Sequence, residues 1–128
     1  EATDWKDVDA VLKSAVIRTS MDLRKTLYVY AGKEPGHSVE GRHAEGGAVD
    51  ISRIDGVKFS LMDDASAAAL GNAIGAGIAN RLPFGQVKMV FTPGMAFRFD
   101  RPMSLEQNRA LIGAHRDHVH VSVIGSTP

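Results

Sequence analysis

The sequence predicts an α+β fold in which a small antiparallel sheet is flanked by helices. Segments with apolar residues at helical spacing alternate with short β-branched and aromatic runs, which is typical of mixed α and β structure. The chain has 128 residues, of which 44% are hydrophobic. A chain of this length and composition is expected to form a single domain over residues 1–128, with its own apolar core.

The first third of the chain is predicted to contain one helix and one strand. Asp4 and Asp7 are typical of a helix start, because a carboxylate accepts hydrogen bonds from the first free backbone N–H groups. The apolar residues that follow predict an amphipathic helix over residues 5–17. The run TLYVY over residues 26–30 predicts a strand. A Gly-rich polar segment over residues 31–47 predicts a long loop, and such loops are often functional.

The middle of the chain is predicted to form a hairpin followed by a second helix. Residues 48–52 (AVDIS) and residues 57–61 are strand candidates separated by Asp55 and Gly56, a pair typical of tight hairpin turns. Two aspartates begin a helix over residues 63–80, whose small apolar residues would allow close packing on a sheet.

The last third of the chain is predicted to contain a third helix between strands. Ser104 and Gln107 have the spacing of a capping box, so we expect a helix that begins there and ends near Gly113. The other predicted elements are a strand over residues 86–91, a turn over 92–94, a short extended piece over 96–99 and a last strand over 119–124.

Composition excludes several classes of function. Lys and Arg together number 15, as do Asp and Glu, so the formal net charge is zero and we expect no nucleic-acid partner. No apolar run approaches the ~20 residues that cross a bilayer, so no membrane insertion is expected. The absence of cysteine excludes thiolate catalysis, disulfides and Cys-based metal sites. Because the chain begins with Glu1, it is interpreted as a processed product or an excised domain.

Two histidines near the C-terminus lie on one face of the last predicted strand. Side chains alternate along a strand, so the three valines at 119, 121 and 123 would face the core, and His118 and His120 would face the other way. A solvated outer face is the more common explanation for such a pair. The neighbouring Asp117 and His115 favour a functional cluster instead.

A second candidate segment begins at His43 and ends at Asp50. Asp50 lies between Val49 and Ile51, so its carboxylate must face water, a partner or a metal, because burying it unpaired is costly. An exposed strand aspartate and a loop histidine would be the simplest interpretation. Two histidines and one aspartate drawn from the two segments would nevertheless suit a catalytic zinc site with an open fourth position. We expect this only if the two strands are neighbours in one sheet.

The two segments together resemble the LAS metallopeptidases, the group of lysostaphin, the D-Ala-D-Ala carboxypeptidases and Sonic hedgehog. HAEGGAVD over residues 43–50 is similar to their His-x-x-Gly-x-Ala-x-Asp motif, and DHVHV over residues 117–121 is similar to their C-terminal His-x-His block. The resemblance covers two short segments and the domain size. It implies a hedgehog/DD-peptidase-like fold and a zinc ion with the ligands His43, Asp50 and His120.

The resemblance also implies roles for the remaining residues of the C-terminal block. Asp117 matches the general base, and His118 matches a histidine that supports the transition state. His115 extends the block to His-x-x-His-x-His, which is similar to the penicillin-insensitive murein endopeptidases, and it is a candidate for substrate binding. Glu45, Asp55 and Ser122 are candidate partners that would orient the ligand histidines.

The implied activity is hydrolysis of peptide bonds in the stems or cross-links of bacterial peptidoglycan, at a periplasmic or secreted location. Delivery by phage or secretion machinery is also consistent with it, and the sequence identifies no delivery or immunity partner.

The chain departs from the group at two places. Gly41 replaces a common serine, and the upstream arginine that binds a substrate carboxylate is absent. Lys33, Arg42 or Arg24 could replace that arginine. These departures weaken the case for a carboxypeptidase, leave endopeptidase action open and motivate one alternative, an inactive, zinc-containing binding module of the same fold. A separate alternative is a metal-free α+β domain with surface histidines.

Overall fold

A mainly antiparallel sheet organises the chain in the computed structural model, which describes residues 2–3, 8–30, 47–83, 85–99 and 102–123. The strands are β1 (Ala2–Thr3), β2 (Leu27–Tyr30), β3 (Ala48–Ile54), β4 (Val57–Lys58), β5 (Val87–Phe91), β6 (Ala96–Arg98) and β7 (Val119–Val123). Their order across the sheet is β1-β2-β3-β7-β5-β6, and β4 forms a hairpin with β3. The predicted α+β class with an antiparallel sheet is confirmed, except that β1 pairs with β2 in parallel.

Three α-helices lie in the described part of the chain: α1 (Ala10–Leu23), α2 (Asp64–Asn80) and α3 (Leu105–Ala114). Helix α2 contacts α1 as well as β5 and β7, so these two helices share the main apolar core with the sheet. Helix α3 buries no residue completely and lies against β6, where Asn108 Nδ2 donates to the Ala96 carbonyl at 2.7 Å. None of the helices in the described ranges is long and apolar enough to span a membrane.

Alternation along the central strands separates a core face from a polar face. Val49, Ile51, Val119 and Val121 are fully buried members of the apolar core, which they share with residues of α1 and α2 such as Leu12 and Ile74. The residues between them in β3 and β7 therefore point to the opposite face of the sheet. The core assignment of the three alternating valines of the last strand is confirmed.

The predicted limits of the first helix are wrong. Asp9 is its N-cap, with Oδ1 accepting from the N–H groups of Val11 and Leu12 at 3.0 and 3.3 Å, so the helix begins at Ala10. Residues 5–7 of the predicted range lie outside the described residues. It continues past residue 17 to Leu23, and Thr19 packs inside the core with its hydroxyl donating to the Ala15 carbonyl at 2.8 Å. Arg24 ends it in the left-handed conformation, with φ at 54°.

The second predicted hairpin strand is wrong beyond its first two residues. Asp55 and Gly56 form the expected tight turn, with φ at 51° and 81°, but β4 ends at Lys58. Phe59–Leu61 is a 3-10 helix, which buries the Phe59 ring in the core. Burial of this ring, which removes a large apolar surface from water, accompanies the departure of the chain from the sheet.

The predicted starts of the other two helices are confirmed. The Asp63 carboxylate accepts from the Ser66 N–H at 2.8 Å and caps α2. Ser104 and Gln107 form a reciprocal capping box, with contacts of 3.1 and 3.0 Å.

Candidate metal and catalytic site

Three side chains form a row across the polar face of the sheet. Asp50 in β3 lies opposite His120 in β7, and His120 lies opposite Phe91 in β5. The Phe91 and His120 rings stack with centroids 5.7 Å apart. The sheet therefore brings together two segments that are 70 residues apart in the sequence, as the prediction of neighbouring strands required.

Asp50 and His120 are in direct contact. His120 Nδ1 lies 2.9 Å from Asp50 Oδ1, and their side chains are only 12% and 17% exposed. A carboxylate with so little solvent needs compensation, which an imidazole N–H or a cation supplies. Two ligand atoms bound to a tetrahedral zinc ion are separated by roughly 3.3 Å, because each lies about 2.0–2.1 Å from the metal. The oxygen and nitrogen donors thus fit a zinc site in chemistry, and their 2.9 Å separation is that of a direct hydrogen bond, slightly shorter than the spacing of two zinc ligands.

Asp117 and His118 extend this pair towards solvent. His118 Nδ1 lies 2.8 Å from Asp117 Oδ1, and His118 Nε2 lies 3.9 Å from Asp50 Oδ1. Asp117 is 66% exposed and His118 is 25% exposed. His118 is thus a bridge between the half-buried carboxylate of Asp50 and the accessible carboxylate of Asp117.

His115 forms the wall of the cluster at the C-terminal end of α3. Its Nδ1–H donates to the Leu111 carbonyl at 2.7 Å, which leaves the lone pair of Nε2 available. The ring centroid lies 4.8 Å from that of Phe91 and 4.7 Å from that of His118. Burial lowers the pKa of His115, against the opposing effect of the Leu111 hydrogen bond, so the neutral ring is favoured.

The structure brings together five of the eight predicted site residues: Asp50, His115, Asp117, His118 and His120. His43, Lys33 and Arg42 lie outside the described residues. Within the described residues, no three His, Cys, Asp or Glu side chains are arranged to hold a metal ion. Of the three predicted zinc ligands, Asp50 and His120 therefore lie together, and His43 stays a prediction.

Two of the predicted orienting partners can be placed. Asp55 does not orient a ligand histidine, because its carboxylate binds the Thr26 N–H at 2.8 Å and Lys25 at 3.4 Å, in the turn after β3. Ser122 lies on the histidine side of β7 and is fully buried, and its hydroxyl has no hydrogen-bond partner among the described residues. Glu45 lies outside the described residues.

Sequence reasoning missed Phe91 as a member of the site. The ring is 4% exposed and contacts both His115 and His120. Its position at the end of an apolar strand indicated only core packing. The register that places it beside His120 depends on the order of the strands in the sheet, which the sequence does not give.

Comparison of the chain with protein-family models, with curated proteins and with solved structures found no match.

Proposed function

We propose that the protein is a zinc-dependent peptidase that hydrolyses peptide bonds in the stems or cross-links of bacterial peptidoglycan, in the periplasm or after secretion. The observation that carries the proposal is the contact between Asp50 and His120, two residues of separate motifs, with the Asp117–His118 pair beside it. The choice of substrate is supported by the resemblance of the two motifs to the LAS metallopeptidases.

Asp50 and His120, together with His43, would hold the zinc ion. Two neutral imidazoles and one carboxylate leave the site a net positive charge and an open position. When bound, zinc would polarise the scissile carbonyl and lower the pKa of a water molecule towards ~7. In the hydrogen bond between them, His120 Nδ1–H donates to Asp50 Oδ1. An ion held by these two atoms would require the proton on Nδ1 to leave.

Asp117 would act as the general base. Its carboxylate is accessible, so it can receive a proton from the attacking water and pass it to the leaving amine. The 2.8 Å contact with His118 orients this carboxylate beside the cluster.

His118 would stabilise the developing negative charge on the carbonyl oxygen. Because Nδ1 contacts Asp117, Nε2 is the ring nitrogen that would donate to that oxygen. Fixed donors of this type contribute on the order of 3 kcal/mol in the transition state.

Digestion of purified peptidoglycan, with the products resolved by mass, tests the proposal. We expect the zinc-loaded protein to release shorter peptides and Asp117→Ala to keep its zinc while losing about 10²- to 10⁴-fold in turnover. Arg109→Gln, which changes an exposed side chain of α3, is the matched control. Full activity of Asp117→Ala would reject the assigned base, and no turnover by the zinc-loaded wild-type protein would reject the peptidase.

The alternative is a zinc-containing binding module without turnover. The departure at Gly41 and the absent upstream arginine favour this alternative. It predicts that wild-type protein sediments with peptidoglycan and releases no peptides from it, whereas the peptidase loses its activity with a chelator and regains it with added zinc.

A further inference from the structure

Two cavities adjoin the chain where α2 ends. One measures about 600 Å³, and its wall includes Ala79, Val87 and Phe99; we call it the apolar cavity. The other measures about 460 Å³ and lies between α1 and the residues that follow α2; we call it the basic cavity, because its wall includes Arg18 and Arg81. The residues common to both walls are Asn80, Leu82 and Pro83. The two cavities are therefore adjacent, and one ligand can occupy both.

The apolar cavity lies on the helix side of the sheet. Val87 in its wall is opposite Val123 in β7, and side chains at paired positions of neighbouring strands point to the same face. Val123 is a buried member of the apolar core, whereas His118 and His120 point to the other face. The sheet therefore separates a ligand in this cavity from the candidate metal and catalytic site.

Phe99 gives the apolar cavity an aromatic wall. The residue is 60% exposed, and its ring centroid lies 6.4 Å from that of Phe97, which is 51% exposed. The Phe99 N–H donates to the Lys88 carbonyl at 2.8 Å, so the backbone that carries the ring is fixed to β5. Exposed aromatic rings beside a cavity of this size are typical of a surface that removes an apolar group from water when it binds a ligand.

The basic cavity carries positive charge. Among the described residues that line it, the charged ones are Arg18 and Arg81. The guanidinium of Arg81 is held in place, because it donates to the Gly77 carbonyl at 2.9 Å and forms an ion pair with Asp22. The ion pairs between arginine or lysine and aspartate in the described part of the chain do not include Arg18. The cavity therefore has one uncompensated cation beside a fixed guanidinium.

The two cavities together favour an amphiphile with an anionic head. A carboxylate in the basic cavity would accept charge-assisted hydrogen bonds from Arg18 and Arg81. An alkyl chain that continues into the apolar cavity would leave water and contact Val87 and Phe99. A cationic head would be repelled by Arg18, and a carboxylate without a chain would leave the apolar cavity in contact with water.

We propose that the two cavities form a binding site for a monomeric, fatty-acid-like carboxylate, with its head at Arg18 and Arg81 and its alkyl chain in the apolar cavity. The site goes beyond the proposed peptidase function, because it lies across the sheet from the candidate site and uses none of the residues assigned to zinc binding or catalysis. The ligand is a free amphiphile and not a bilayer surface, since its chain enters a cavity of the protein.

Calorimetric titration with single-chain amphiphiles, each kept below its micelle concentration, tests the site. The probes are butyrate, octanoate, decanoate and decyltrimethylammonium. We expect decanoate to have the lowest Kd, and each methylene group between octanoate and decanoate to lower Kd by up to about fourfold. Decyltrimethylammonium has the same chain with the opposite charge and should bind about tenfold more weakly or worse. Equal Kd values for the two ten-carbon probes would overturn the anionic site.

Variants in each cavity separate the head from the chain. Arg18→Gln should raise the Kd of decanoate about tenfold, and Arg18→Lys should recover part of the loss. Phe99→Ala should raise the Kd and reduce the gain from each added methylene group. The matched controls are exposed residues of α3 outside both cavities, Arg109→Gln and Leu105→Ala, which should bind decanoate as the wild-type protein does.

NMR titration with decanoate shows where the probe binds. We expect the shifted amide resonances to be those of residues 79–82, 87 and 99. No binding of decanoate at millimolar concentration, shifts confined to other residues, or binding to phosphatidylglycerol vesicles without binding of monomeric decanoate would each overturn the site. Phe99→Ala should digest peptidoglycan as the wild-type protein does, so failure of this site and failure of the peptidase are measured separately.

Discussion

Asp50 and His120 lie directly opposite each other on β3 and β7, with Oδ1 and Nδ1 2.9 Å apart although the residues are 70 positions apart in the sequence. The contact depends on strand register. A slip of one residue in either strand would turn its side chain to the apolar face, where Val49, Ile51, Val119 and Val121 are now buried. The same valines and isoleucine that form the core therefore position the candidate metal ligands.

Asp50→Asn and His120→Ala should each prevent stoichiometric binding of zinc. Either change removes an atom that would bind the metal. The loss of zinc affinity should therefore exceed the ~10- to 100-fold that is typical when only a residue hydrogen-bonded to a metal ligand is removed. Metal analysis of protein purified without a His tag, together with zinc-dependent shifts in Tm, measures this loss. Asp117→Ala serves as the control that keeps zinc. A full equivalent of zinc in Asp50→Asn would contradict the assigned ligand.

His118→Ala should retain zinc and lose activity mainly in kcat. The side chain lies beside Asp50 and Asp117 and is proposed to donate to the oxygen on which charge develops, so its removal affects the transition state more than the bound substrate. We expect a decrease in kcat of about 10²-fold, measured on a synthetic peptide with the zinc-loaded variant. An increase in KM with unchanged kcat would instead show a role in binding.

Local patterns predicted the parts of the fold that depend on neighbouring residues. Alternation of valine with histidine placed the faces of β7 correctly, and the Ser104–Gln107 spacing identified the start of α3. The first helix was misplaced because Asp4, Asp7 and Asp9 all have a side chain suited to an N-cap, and the contacts that identify Asp9 as the cap are seen only in the structure.

The candidate site was predicted only where the motifs are local. Asp117, His118 and His120 are close in sequence, and the two motifs were joined by resemblance. Arg116 and Asp64 also contact each other although they are 52 residues apart, and no periodicity in the sequence encodes that contact. Phe91 was missed for the same physical reason, because its place beside His120 follows from the order of strands in the sheet.

Gly71→Ala should destabilise the protein, whereas Gly113→Ala should stabilise it. A Cβ atom on Gly71 would lie 2.6 Å from Pro93 Cδ, and the proline ring cannot rotate away. The clash should outweigh the gain in helix propensity and cost about 1–3 kcal/mol in the free energy of unfolding. At Gly113 there is open space, so alanine should add about 0.4–1 kcal/mol. Urea denaturation of the two variants measures the change in the free energy of unfolding for each. Stabilisation by Gly71→Ala would contradict the close approach of α2 to the turn after β5.

His115 should make the stability of the zinc-free protein depend on pH. Its pKa is lowered from the ordinary 6.5, first by burial. Below that pH the unfolded chain binds the proton more readily than the folded chain does, so stability falls as the pH decreases towards the lowered pKa. His115→Gln lacks this linkage. Relative to it, the free energy of unfolding of the wild-type protein should decline as the pH falls below 6.5.

Urea denaturation at several pH values measures that decline, and NMR titration of the imidazole C–H resonances, with His115 assigned by its absence from the variant, measures the pKa directly. His118 and His120 also face the ring, so the difference between the two proteins is the informative quantity. A difference that is constant with pH, or a His115 resonance that titrates above the ordinary value, would show that the ring is solvated and is not packed between Phe91 and His118.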